Sequence, residues 1–71
     1  MYFEIYGAKN QVVEIDNLRD VEKISCVGSR IVYNGLTLAE YSTAARAAEV
    51  LAELVETFKN GEFDSYRLPK E

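Results

Sequence analysis

Two periodicities divide the chain. Over residues 1–41 apolar and polar side chains alternate with a period of two, as in half-buried strands; residues 42–60 repeat their apolar positions at helical spacing. The sharpest local signal is Asn34-Gly35 between Arg30-Ile31-Val32-Tyr33 and Leu36-Thr37-Leu38. Asn-Gly is the favoured pair for a two-residue type I′ turn, because both central residues need positive φ. That register sets Tyr33 opposite Leu36 and Ile31 opposite Leu38, all four on one face. Gly28-Ser29 predicts a second tight turn, with Val27 opposite Arg30 and Cys26 opposite Ile31. Upstream, residues 2–6 and 11–15 read as strands around Gly7-Ala8-Lys9-Asn10. Asp16-Asn17 breaks the pattern before residues 18–24, whose first part reads as a turn. The expected β region is an antiparallel meander of about five strands, the fifth short.

Ser42 is the expected N-cap of the helix. At 100° per residue, Ala44, Ala47, Ala48, Val50, Leu51, Leu54, Val55 and Phe58 share about 160° of arc, opposite Arg46, Glu49, Glu53 and Glu56. Asn60-Gly61 is the stop signal. The tail, residues 61–71, holds Phe63, Tyr66, Leu68 and Pro69, which predicts that it docks on the domain; Pro69 restricts any strand there to a short edge. The fold class is therefore α+β: a single domain over residues 1–71, with a meander (1–41), one amphipathic helix packed on one face (42–60) and a docked tail (61–71).

Composition narrows the function. A chain of 71 residues with one cysteine and no histidine has neither an internal disulfide nor the imidazole of a compact zinc site or of a Ser-His or Cys-His pair. No metal and no cofactor is expected, and an enzyme is not. Scaling of folded and unfolded surface gives roughly 60% burial for a chain of 8.0 kDa, a thin margin that oligomerisation would widen. Twelve acids against eight bases leave a net charge of -4, which disfavours direct nucleic-acid binding. No apolar run is long enough to span a bilayer, so no membrane association is expected. The start, MYFEIYG, lacks a basic segment, and with the lone cysteine this points to a cytoplasmic protein.

Three surfaces are candidates for binding. If Phe3, Ile5, Val13 and Ile15 face the helix, then Tyr2, Glu4, Tyr6, Val12, Val27 and Val32 lie on a sheet face that one helix cannot cover. Tyrosine and valine mixed with charge have the composition of a partner or oligomer interface. Arg30, Arg46, Tyr66 and Arg67 are candidate contacts for an anion or nucleotide, since arginine supplies a bidentate fork and tyrosine a stacking plane. Glu49, Glu53 and Glu56 form an acidic helix stripe, either a solvated outer face or a surface aimed at a basic groove. Cys26, inward on its strand, reads as a buried structural thiol.

From Val12 the chain runs VVEIDNLRDVEKI and then RIVYNGLTLAEYSTAARAAEVLAEL, with Tyr66-Arg67-Leu68-Pro69 near the end. This resembles small uncharacterised proteins of phages and mobile elements of Firmicutes: a valine-rich strand, an Asn-Gly hairpin, a "YsTeeRAxEVLxEI"-type helix and a "YxxP" tail. Ala39 departs from that pattern where a glycine is expected, and Ala44-Ala45 where acids are. The resemblance implies a context in a bacterial host: an antagonist of bacterial immunity that binds and occludes a host defence protein. The alternatives are an oligomeric sponge that sequesters a nucleotide immune signal, and a structural or regulatory homo-oligomer subunit without ligand.

Overall fold

The computed structural model describes residues 3–70, with Leu18 described by its backbone alone. The order is β1 (Phe3–Tyr6), β2 (Val12–Ile15), α1 (Leu18–Val21), β3 (Ile24–Val27), β4 (Arg30–Tyr33), β5 (Leu36–Glu40), α2 (Ala44–Asn60) and β6 (Ser65–Arg67). The fold is α+β, with one main helix. Among the described residues six strands form two sheets of three, ordered β2-β1-β6 and β3-β4-β5. The second sheet is a plain meander. Its fifth strand is not short: at five residues β5 is longer than β4.

Both tight turns form where the glycines predicted them. Asn34 and Gly35 take φ of 51° and 82°, the pair of positive values that a type I′ turn requires. Tyr33 faces Leu36, Val27 faces Arg30 and Cys26 faces Ile31. The expected Ile31–Leu38 pair is corrected: a register shift between Ile31 and Val32 places Ile31 opposite Ala39. Leu38 is thereby the extra residue of a bulge, and both Leu38 and Ala39 are buried. Residues 18–21 form a single helical turn, in keeping with the turn expected there. Asn17 starts it: its side-chain Oδ1 accepts from the Asp20 N–H at 3.1 Å, which draws the backbone into a turn and away from sheet pairing.

The sheets meet at the β1–β2 turn. Ala8 N–H donates to the Leu38 carbonyl at 2.9 Å, and Gln11 Nε2 donates to the Thr37 carbonyl at 3.0 Å. The tail closes the first sheet from the other side. β6 runs parallel to β1, with Ile5 beside Tyr66 and Tyr6 beside Arg67, and Leu68 N–H donates to the Tyr6 carbonyl at 2.9 Å. Leu68 is buried and docks as expected, but Phe63 is 63% exposed and does not. Phe63 precedes the strand, one residue before the Asp64 carbonyl that accepts the Glu4 N–H at 3.0 Å.

Helix α2 begins one residue later than the pattern suggested. Thr43, not Ser42, is the N-cap: its backbone is extended and its side-chain Oγ1 accepts the Arg46 N–H at 3.1 Å. Gly61, at φ 75°, ends the helix in the left-handed conformation. Ala47, Val50 and Leu54 pack into the core with Ile5, Ile15, Ile31, Leu38 and Leu68. Phe58 meets Phe3 edge to face at 5.4 Å. Ala44 and Ala48, expected on the buried arc, are exposed, while Ala47 between them is buried. No helix among the described residues is long and apolar enough to cross a membrane.

Candidate functional site

Strand alternation sorts the first candidate set as expected. Phe3, Ile5, Val13 and Ile15 point inward and are buried, so their neighbours point out. On the first sheet Glu4 and Tyr6 are half-buried and Val12 is 51% exposed. The register sets Val12, Tyr6 and Arg67 in one row across three strands, with Glu14, Glu4 and Ser65 in the next. The Tyr6 hydroxyl donates to Glu4 Oε1 at 3.1 Å, and the Arg67 guanidinium lies 5.0 Å from the Tyr6 ring centre. That hydrogen bond and the Glu4 charge push the Tyr6 hydroxyl above its ordinary pKa, so it stays a donor. Tyr6 is thus fixed at both ends, beside an exposed valine.

Val27 and Val32 belong to the other sheet. Val27 is 48% exposed and Val32 half-buried, with Arg30 between them on the outer side of β3 and β4. The interface set therefore divides into two patches, one per sheet. Tyr2 lies outside the described residues.

The four candidate anion contacts do not converge. Arg30 sits on the outer side of the second sheet and Arg67 on that of the first. Tyr66, one residue from Arg67, alternates to the opposite side and meets α2, where its hydroxyl donates to Glu53 Oε1 at 2.6 Å. Arg46 lies nearby, 6.0 Å from the Tyr41 ring centre and 3.7 Å from Glu49. The Tyr41 hydroxyl donates to the Pro69 carbonyl at 2.7 Å and ties the tail to the end of β5. Burial, then the Glu53 hydrogen bond and charge, raise the Tyr66 pKa well above the usual tyrosine range. The seam between α2 and β6 is a closed set of tyrosines, arginine and carboxylates that satisfy one another.

The acidic stripe is correspondingly less free than its sequence suggests. Glu49 is engaged by Arg46 and Glu53 by Tyr66, while Glu56 stands exposed on the other flank of the helix beside Lys59. Cys26 is half-buried instead of fully buried, and that partial burial pushes its thiol pKa up, away from the reactive thiolate. Strand alternation placed it inward correctly. It left out that β3 is an edge strand, so one side of Cys26 opens into a shallow apolar groove formed with Ala48, Leu51, Ala52 and Val55. That groove was not identified from sequence, though Ala48 and Ala52 on the apolar arc were its signal.

Among the described residues no group of three or more cysteine, aspartate or glutamate side chains is placed to hold a metal ion. Comparison with protein-family models, curated proteins and solved structures finds no match to this chain.

Proposed function

We propose that the chain is a non-catalytic binding protein that docks a partner protein on the outer face of the β2-β1-β6 sheet. The observation that carries this is Tyr6, held between Glu4 and Arg67 and flanked by exposed Val12 on a face that α2 does not cover. A fixed tyrosine and arginine around an apolar residue supply contact area at small entropic cost, the composition of interface hot spots. The resemblance of the Val12–Leu54 stretch to phage and mobile-element proteins supports a bacterial defence protein as the partner, silenced by occlusion of its working surface. A nucleotide sponge has less support, because Arg30, Arg46 and Arg67 stand on three separate surfaces.

Phage plating on bacterial strains that each carry one defence system tests this. The wild-type chain restores plating against its target system; Tyr6→Ala with Val12→Asp abolishes that rescue, and Phe63→Ala leaves it intact. Rescue retained by the double variant overturns the docking face. A purified wild-type chain that carries a nucleotide in native mass spectrometry, and loses it with Arg46→Ala, overturns protein occlusion in favour of sequestration.

A further inference from the structure

We propose that a second copy of this chain pairs along the free edge of β3, joining two three-stranded sheets into one of six strands with the α2 helices side by side. The argument starts from how each sheet edge is protected. β5 is engaged by Ala8 and Gln11. β2 carries Glu14 and runs into Asp16, and β6 is three residues long, carries Arg67 and is closed by Pro69. Charge, brevity and proline are the ordinary safeguards against edge pairing. β3, Ile24-Ser25-Cys26-Val27, has neither charge nor proline within it, and its pairing with β4 is free of bulges.

Its unpaired backbone groups follow from the hairpin. Val27 and Arg30 flank a two-residue turn and exchange both hydrogen bonds; bonded and non-bonded pairs then alternate, so Ile24 and Cys26 direct N–H and C=O outward. Among the described residues no hydrogen bond from outside the hairpin reaches residues 24–27. Apolar surface flanks this edge on both sides. Val27 is 48% exposed on the outer side, and on the helix side Cys26 opens onto Leu51 and Val55 with the small side chains of Ala48 and Ala52 beyond them.

Charge and symmetry identify the occupant. At a net charge of -4 two copies repel. The helix acids Glu49 and Glu53, however, are drawn to the far flank by Arg46 and Tyr66. On the β3 flank the helix carries no charge from Ala44 to Val55, and the charges that follow at the end of the groove, Glu56 and Lys59, are of opposite sign, so a like-charged copy meets little net repulsion there. An antiparallel pair of β3 strands is also self-complementary: the outward groups of Ile24 and Cys26 in each copy meet their own kind across a twofold axis. Small side chains at 48 and 52 allow close approach of the helices. None of Tyr6, Val12 and Arg67 belongs to this edge, so the proposal stands apart from the docking face above.

Light scattering on the purified full chain should give twice the chain mass of 8.0 kDa. Ala48→Glu with Ala52→Glu, both at exposed positions, sets like charges against each other across the twofold axis and should return the single-chain mass with an unchanged circular dichroism spectrum, while Val12→Asp remains a dimer. In wild-type protein, hydrogen exchange of the Ile24 and Cys26 amides should speed up by at least about tenfold on dilution to monomer, a readout that needs no variant. A single-chain mass at every concentration, a dimer indifferent to the helix substitutions, amides unaffected by dilution, or a different polypeptide bound along this edge would each overturn it.

Discussion

At Tyr66 the hydroxyl donates to a Glu53 carboxylate 2.6 Å away, and both burial and that carboxylate oppose its ionisation. The folded chain therefore holds this proton more tightly than the unfolded chain does. A folded pKa raised above the unfolded value of about 10 contributes stability that is complete below pH 10 and is lost as pH rises further. Tyr66→Phe removes both the hydrogen bond and the linkage. We expect it to cost about 1 kcal/mol at pH 8, and the gap from wild type to close by pH 11. Thermal denaturation of the two proteins at both pH values checks this; Tyr6, also raised, is present in each and cancels in the difference. A gap that stays constant would show that the seam is not coupled to the Tyr66 proton.

At the scale of elements, the junction between the two sheets depends on Gly7. A methyl group there would stand 2.9 Å from the Leu38 carbonyl oxygen and 2.5 Å from Gln11 Oε1. The Gln11 side chain can swing away, but Leu38 is backbone in a paired strand and accepts the Ala8 N–H that joins the sheets. Gly7→Ala should accordingly cost about 1–3 kcal/mol, as overpacking does, measurable as a lower urea midpoint. Gly28→Ala, with open space around it, should be limited to the strain of its positive φ. These two glycines also mark what was legible in the sequence. Turns at residues 28–29 and 34–35 are local, set by backbone conformations that glycine and asparagine alone adopt cheaply. The close approach at Gly7 was not legible, since its partner lies thirty-one residues on, and neither was the Leu38 bulge, since two adjacent apolar residues fit an ordinary register equally well. Alternation gave the outward set Glu4, Tyr6 and Val12. It could not bring Arg67 to Tyr6, because that contact needs the parallel β1–β6 register, which no local signal encodes.

For the whole molecule, one core joins both sheets and the helix, and the tail completes it. Leu68 is 1% exposed, next to the last strand, and shares the core with Ile5, Ile31 and Leu54 from three different elements. A chain of 71 residues has a stability of roughly 4–10 kcal/mol by the usual per-residue range. Truncating a buried leucine to alanine removes about 2–5 kcal/mol, through lost transfer free energy and the cavity left behind. Leu68→Ala should therefore take a large share of the total and lower the unfolding of both sheets together, in a single transition. Phe63, five residues earlier in the same tail, is 63% exposed, and Phe63→Ala should fall within about 0.5 kcal/mol of wild type. Chemical denaturation followed by tyrosine fluorescence and by circular dichroism separates the outcomes. Coincident transitions shifted strongly by Leu68→Ala alone mean that the tail belongs to the folding unit. Two separate transitions would mean that β3-β4-β5 with α2 folds without it.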